Sequence, residues 1–206
     1  AINPALRTKT PYDPLKDFAP VILLGSIPNV LLVGTDQPYK SVKDLIAAAK
    51  AKPDTIGFAT SGQGSSQHMS GELFKLLAGA DLAHVPYKGS APAIQDVIGH
   101  QVPTSFETVT VALPHIQGGK VRALAVTSAQ RSPLYPQWPT ISETLPGYES
   151  VNWAGFCAPA GMPRDLVQKL SDDILAVLRA PEMAKTLADM GIELAPLGAD
   201  DFQSFI

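Results

Sequence analysis

The segment Thr60–His68, with the sequence TSGQGSSQH, has residue types that are suited to binding a small anion. Gly62 and Gly64 lack a Cβ atom, so the backbone there can turn sharply and can approach a bound molecule closely. Side-chain donors accompany the two glycines, namely Thr60, Ser61, Ser65, Ser66, Gln67 and His68. A helix is predicted to begin within this segment, and its N-terminus would offer unpaired N–H groups and a partial positive charge. The alternative is a plain turn, in which Ser65 or Ser66 caps the helix and the glycines only permit the turn.

Two later turns repeat this arrangement of strand, polar turn and helix. At the first, Lys88 can supply positive charge, and Gly89 and Ser90 can supply donors. Alternatively, Lys88 is a solvated side chain beside an ordinary turn. At the second, the carboxylate of Glu107 follows an apolar strand. It can accept a hydrogen bond from a ligand amine or hydroxyl, or it can cap the helix that follows.

Nucleotide and metal sites are not favoured by the sequence. Gly62 and Gly64 begin like a dinucleotide-binding fingerprint, but Gln67 stands where the third glycine is needed. No phosphate-loop lysine follows. No metal-ligand spacing relates the four histidines, which are His68, His84, His100 and His115. We therefore expect neither a cofactor nor a metal.

Hydrolytic chemistry also has little support. Ser65 or Ser66 with His68 resembles a pair of nucleophile and base, but no residue is marked as the acid that would orient the histidine. No GxSxG nucleophile elbow surrounds a serine. We therefore predict no catalytic residues and no enzymatic activity, and we keep a Ser/His hydrolase only as an alternative.

The composition is that of an ordinary globular protein. The chain has 206 residues, of which 45% are hydrophobic and 17% charged, enough for one large domain or two small lobes. A net charge of −3 without runs of like charge does not favour nucleic acid as a partner. No stretch approaches the ~20 apolar residues of a membrane span, so direct membrane insertion is not expected. Cys157 is the only cysteine, and we expect it to be a buried small apolar residue.

Short apolar runs alternate with helical periods, which predicts an α/β fold with mostly parallel sheets. Strands are expected at residues 21–24, 30–33, 55–60, 82–87, 102–107, 121–127 and 150–158. Helices are expected at residues 66–78, 109–117 and 181–190. Further helices are expected to begin after Ser41, after Pro163 and at Asp200, and one is expected to have Pro92 near its first position. The helix at 66–78 is predicted to bury Met69, Leu73, Leu76 and Leu77. In parallel sheets, the turns after the strands share one edge, where ligands bind.

Several longer strings resemble the Bug/TctC family, the substrate-binding components of tripartite tricarboxylate transporters. They include PYDPLKDFAPV at 11–21, SGxGxSxHxxGELF at 61–74, HVPYKGSAPA at 84–93, LPHI at 113–116, the strand at 121–127 with the glycine and lysine before it, PGY at 146–148 and APAGxP at 158–163. The strings are long and collinear, and they cover the whole chain. The chain is therefore identified as a member of this family.

The resemblance implies a two-lobed, Venus-flytrap periplasmic-binding-protein fold. Residues 35–128 would form one complete lobe, and residues 1–34 and 129–206 would be parts of the other. Family members begin with a strand and a proline- and glycine-rich loop, which supplies carboxylate contacts. Nothing like that precedes Ala1, and the last helix is cut at Ile206. We therefore expect the opening segment of one lobe to be absent.

The function implied is extracytoplasmic capture of a small carboxylate by closure of a cleft, for delivery to the membrane permease subunits of the transporter. The ligand would be a dicarboxylate, an aromatic acid or an amino acid, and the location would be the periplasm, with no signal peptide at residues 1–4. A sensory binding protein that signals to a membrane partner is the alternative. The resemblance implies that the ligand-binding loops are Thr60–His68 and Lys88–Ala91. Glu107 stands where members commonly have Asp, so its role is open.

Overall fold

The computed structural model describes Leu6 and residues 10–206. The expectation that residues 1–4 are no signal peptide therefore lies outside the described residues. The same holds for residues 1–5 and 7–9 of the predicted lobe segment 1–34. The chain divides into two compact units, a smaller one formed by Ala1–Ile27 with Trp153–Ile206 and a larger one formed by Pro28–Asn152. The lobe boundaries after residues 34 and 128 stay a prediction.

Strand β1 runs from one unit into the other, and the remaining elements belong to one unit each. In the larger unit, β1 (Phe18–Gly34) is followed by α1 (Val42–Ala51), β2 (Gly57–Thr60), α2 (Ser66–Ala78), β3 (Ala83–Pro86), α3 (Ser90–Ile98), β4 (Thr104–Thr108), α4 (Val109–Gln117), β5 (Val121–Val126) and a 3₁₀ turn (Ile141–Glu143). The smaller unit adds β6 (Val151–Pro159), α5 (Arg164–Leu178), α6 (Pro181–Asp189), β7 (Glu193–Leu197) and α7 (Ala199–Phe205).

The sheet of the larger unit has the strand order β3-β2-β4-β1-β5. Strand β2 is parallel to β3 and β4, but β1 is antiparallel to β4, β5 and β7. The predicted α/β class is confirmed, and the three strands that precede the polar turns pair in parallel. These three are the strands joined by helical crossovers, which parallel pairing requires.

The long strand β1 corrects the prediction of two separate strands at residues 21–24 and 30–33. Pro28 lies between them, and proline lacks the N–H donor that a ladder of hydrogen bonds needs. In the structure, Pro28 falls between Ser26, which pairs with β7, and Asn29, which pairs with β4. Because the strand changes these partners there, neither ladder needs the missing N–H. Strand β7 was not predicted, because it is short and contains a proline.

Helices cover both faces of the sheet in the larger unit. Along β1 the side chains alternate, so that Leu31 and Val33 join the apolar cluster that includes residues of α1 and α2. Val30 and Leu32 join the cluster that includes residues of α3 and α4. All four side chains are buried. This explains why the strand is a continuous apolar run, as expected for a sheet covered on both faces.

Helix α2 has its predicted length but not its predicted buried face. Leu76 is 76% exposed and Leu77 is 41% exposed. The buried positions are instead Gln67, Ser70, Gly71, Phe74 and Ala78. The helix approaches β2 closely at Gly71, where an added Cβ would lie 2.2 Å from the ring of Phe58. The polar members of this face find hydrogen-bond partners, so hydrophobicity alone selects the wrong face.

Helix α3 begins at Ser90, so Pro92, which was expected near the first helical position, is its third residue. One smaller expectation is corrected. Cys157 is exposed, contrary to the expectation of burial. It lies on β6 next to the buried Ala158, and successive side chains of a strand point to opposite faces.

Candidate functional site

The three polar turns lie at the carboxyl ends of β2, β3 and β4, within the larger unit. Their parallel pairing brings the strand ends together, as the sequence predicts. The N–H of Tyr87 donates to Thr60 O at 3.0 Å, and the N–H of Gly89 donates to Ser61 O at 3.1 Å. The first two turns are therefore joined through their backbones.

The backbone of the first turn depends on its glycines. Gly62 and Gly64 have φ angles of +134° and +77°, which side chains with a Cβ rarely adopt. The hydroxyl of Ser65 donates to Gly62 O at 2.7 Å and accepts from the N–H of His68 at 3.2 Å. Ser65 is thus the N-cap of α2, which agrees with the structural alternative for this residue.

Gln67 connects the three turns through its buried side-chain amide. Its Oε1 accepts hydrogen bonds from the hydroxyls of Ser61 and Ser66 at 3.0 and 3.1 Å. Its Nε2 donates to Glu107 Oε1 at 2.9 Å and to the hydroxyl of Ser90 at 3.4 Å. The amide therefore holds Ser61 and Ser66 of the first turn in position relative to the other two turns.

Glu107 is the centre of this arrangement, and it is 0% exposed. Its Oε1 accepts from Gln67, from the Ser90 hydroxyl at 2.9 Å, and from the N–H and hydroxyl of Thr108 at 2.8 and 3.2 Å. Among the described residues, its Oε2 is buried and has no hydrogen-bond partner. We call this set the Glu107 network; its members are Ser61, Ser66, Gln67, Ser90, Glu107 and Thr108.

The Glu107 network joins the N-terminal ends of α2, α3 and α4. Gln67 and Ser90 are in the first turns of α2 and α3, and Thr108 precedes α4. Each helix N-terminus carries a partial positive charge, which a carboxylate stabilises. The capping role proposed for Glu107 is present, since it accepts from the N–H of Thr108, but it accounts for only one oxygen of the carboxylate.

His68 and His84 form a stacked pair beside the first turn, with ring centroids 3.9 Å apart. His68 Nδ1 accepts from the N–H of Gly64 at 3.2 Å, and His84 Nε2 is 2.7 Å from Thr60 Oγ1. Burial lowers the pKa of both imidazoles, and for His84 the neighbouring His68 lowers the pKa further. The lowered pKa favours the neutral form of both rings, and His68 supports the turn as an acceptor.

This geometry does not form a pair of nucleophile and base. The Ser65 hydroxyl donates to a backbone carbonyl and not to the ring of His68. The Ser66 hydroxyl donates to Gln67. Across residues 10–206, no group of three or more His, Cys, Asp or Glu side chains could hold a metal ion.

Lys88 and Ala91 stand apart from the network. Both are exposed, and in the described part of the chain Lys88 forms no ion pair. Thr60, Ser61, Gly62, Gly64, Ser65, Ser66, Gln67, His68, Gly89, Ser90 and Glu107 are brought together by the structure. The sequence reasoning missed Thr108, although its position directly before a helix marks it as a cap.

A second polar network, the Asn29 network, was also missed; its members are Asn29, Ser70, Thr127, Ser150 and Asn152. The Asn29 amide donates to the Ser70 hydroxyl at 2.9 Å and accepts from the Asn152 amide at 3.0 Å. Its backbone N–H and carbonyl both bond the Thr127 hydroxyl, at 2.8 and 3.0 Å. An asparagine inside an otherwise apolar strand was the signal that could have revealed this network.

The strand order and helices define an α/β protein of the periplasmic-binding-protein class, and solved structures confirm this. A structure described as R. palustris Rpa4515 with adipate matches with a TM-score of 0.91 and 36% identity, over 96% of this chain and 67% of that one. MatC from Rhodopseudomonas palustris with bound malate matches with a TM-score of 0.82 and 32% identity, over 92% of this chain and 65% of that one.

The chain belongs to the TctC family, described as the tripartite tricarboxylate transporter family receptor, whose model matches residues 1–206. A UPF0065 protein of Pseudomonas sp. strain P51 is 38% identical over 91% of this chain. Protein BugT of Bordetella pertussis is 33% identical over 100% of this chain. The chain spans 56% and 64% of the lengths of these two relatives. No helix in the described residues is both long enough and apolar enough to cross a membrane.

Proposed function

We propose that this protein is an extracytoplasmic solute-binding protein, which captures a small carboxylate in the periplasm and delivers it to the permease subunits of a tripartite tricarboxylate transporter. The observation that carries the proposal is the convergence of three helix N-termini at the carboxyl ends of three parallel strands. Such an edge is where ligands bind in α/β sheets, and helix N-termini favour anions. Membership of the TctC family and the adipate and malate that two similar structures contain agree with it.

Within this proposal the ligand contacts the turn Thr60–His68 and the turn Lys88–Ala91. Ser61, Ser66 and Ser90 are half-buried residues, and their hydroxyls can exchange their present partners for a ligand. The exposed Lys88 adds charge that attracts an anion over a distance. The protein makes and breaks no bond. Capture by closure of two lobes is a hinge motion that periplasmic binding proteins use.

The test is a thermal-shift screen of the protein in its full natural length against dicarboxylates, aromatic acids and amino acids. A ligand at 100 times its Kd stabilises the folded state by about 2.7 kcal/mol. We expect at least one carboxylate to raise the Tm in a concentration-dependent way, and Gly62→Val to abolish the shift by blocking the turn. If no acid of any of the three classes raises the Tm, the proposal is wrong.

The partner is tested separately. The purified protein is mixed with membranes that contain the permease subunits, with and without the acid identified in the screen. Co-sedimentation that depends on the acid supports transport. Acid-dependent binding to a membrane protein other than the permease would indicate sensing instead.

A further inference from the structure

The carboxylate of Glu107 is bonded on one side only. Its Oε1 accepts four hydrogen bonds. Its Oε2 is buried and accepts none from the described residues. An ionised carboxylate with an unpartnered buried oxygen is costly, since the lost hydration is not replaced. A structural cap would not need this second oxygen.

The carboxylate of Glu107 itself supplies the negative charge that helix N-termini favour. The side chains of Gln67 and Ser90, in the first turns of α2 and α3, and the N–H of Thr108 donate to its Oε1. A ligand carboxylate placed against Oε2 would meet a like charge, which is unfavourable in a buried site. A hydroxyl or ammonium group placed there would instead donate a charge-assisted hydrogen bond.

The network reaches the surface of the larger unit beside Glu107. Ser90, which bonds Oε1, is half-buried, as are Ser61 and Ser66 on the other side of Gln67. Glu107 is thus bonded directly to one half-buried residue, Ser90, and through Gln67 to two others, Ser61 and Ser66.

We infer that Glu107 is a specificity-determining residue, and that the ligand is a carboxylate bearing a hydroxyl or ammonium group that donates to Glu107 Oε2. The inference rests on the proposed function and names the ligand class within it. The ligand has a defined polarity: its carboxylate faces the backbone N–H groups and Lys88, and its donor faces Glu107.

The test compares acids that differ only in this donor. Affinities of the full-length protein for succinate, malate and aspartate, and for adipate, 2-hydroxyadipate and 2-aminoadipate, are measured by calorimetry. In at least one of the two chain lengths, we expect a donor-bearing acid to bind at least about tenfold more tightly than the unsubstituted acid, which corresponds to about 1.4 kcal/mol. The hydroxy and amino acids separate the two kinds of donor.

Glu107→Gln tests the residue itself. The amide keeps one acceptor oxygen for the four existing donors and replaces Oε2 with an NH₂ group, so a donor on the ligand would meet a donor. We expect the ratio between the donor-bearing and unsubstituted acids to fall below about threefold. Glu149→Gln makes the same chemical change at an exposed carboxylate of the same unit and should leave the ratio unchanged.

The outcomes are distinguishable. Equal affinity of the wild type for the donor-bearing and unsubstituted acids overturns the inference and leaves the proposed function intact. A preference that survives Glu107→Gln overturns the role of Glu107. Binding of no acid in either series overturns the inference, whereas the proposed function is overturned only if the thermal-shift screen of all three classes also fails. If Glu107→Gln does not fold, Glu107→Asp, which withdraws the carboxylate by one methylene, replaces it and is expected to reduce the ratio.

Discussion

The two polar networks of the larger unit share helix α2 but differ in how completely they are bonded. In the Asn29 network, each polar atom of the Asn29 side chain has a partner, and Tyr148 donates to Ser70 O at 2.9 Å beside it. In the Glu107 network, one carboxylate oxygen is buried without a partner in the described residues. Asn29 and Glu107 are both 0% exposed, so burial alone does not account for the difference.

The difference separates a structural role from a binding role. A fully bonded buried network holds helices and strands in one arrangement. Each of its hydrogen bonds contributes modestly to stability, whereas a buried group left without its partner lowers stability by more. An unpartnered buried acceptor in a folded protein needs an explanation, and a bound ligand, ion or water is one such explanation. We therefore expect substitutions in the Asn29 network to affect stability, and substitutions in the Glu107 network to affect ligand choice.

The largest effect is expected from Asn29→Ala. The substitution removes both side-chain hydrogen bonds and leaves the Asn152 amide and the Ser70 hydroxyl short of a partner. We expect the free energy of unfolding to fall by about 2–4 kcal/mol, from one or two unsatisfied buried groups. Urea denaturation measures it. Asn152→Ala, which loses a single bond, serves as the comparison, and an equal or greater loss for Asn152→Ala would contradict the central role of Asn29.

Glu107→Gln is expected to change stability much less, by about 1 kcal/mol or less. The acceptor for the four donors is retained, and one unpartnered buried group replaces another. Urea denaturation without ligand is the measurement. A destabilisation as large as that of Asn29→Ala would show that Glu107 is primarily structural, and the contrast between the networks would fail.

The stacked histidines predict a dependence of stability on pH. Burial lowers the pKa of His68 and His84 in the folded state below the ordinary value of 6.5, so the unfolded state binds more protons. The contribution is fully present above pH 6.5 and declines as the pH falls below it. Glu72, 3.8 Å from His68, opposes this shift, and Lys75 reinforces it.

The measurement is the Tm of the wild type and of His68→Gln between pH 7.5 and pH 5, values chosen to bracket the ordinary histidine pKa of about 6.5. The variant should lose less stability on acidification, because one buried imidazole is gone. His115→Gln, which alters a histidine outside the stacked pair, is the control. Identical pH profiles for the wild type and His68→Gln would contradict the prediction.

The smallest effect is expected from Lys88→Ala. Lys88 is exposed and forms no ion pair in the described residues, so its charge acts on an anion through solvent. We expect the affinity for a carboxylate to fall by about two- to fivefold at low salt and by less at high salt, where the charge is screened. Lys120→Ala removes an equally exposed lysine of the same unit. Equal losses of affinity in the two variants would show that Lys88 has no specific role in attracting the ligand.

Local sequence signals predicted the elements that carry the site. Ser65 caps α2 and its ends lie where expected, because caps, glycines and turns act over a few residues. The helix at 109–117 was also correct, although Pro114 lies within it. The alternation of strands and helices predicted that β2, β3 and β4 pair in parallel. The meeting of the three polar turns that follow these strands was therefore predictable as well.

Tertiary contacts decided the rest. The buried face of α2 follows from the close approach at Gly71 and from partners for Gln67 and Ser70, which are distant in sequence. The continuity of β1 follows from a change of partner strands at Pro28. The turn Thr60–His68 could be recognised from residue types alone. The hydrogen bond between this turn and Glu107 joins residues that are 40 positions apart in the chain. The sequence does not indicate which distant buried donor and acceptor will meet, so only the tertiary structure could show that Glu107 has one bonded and one unbonded oxygen.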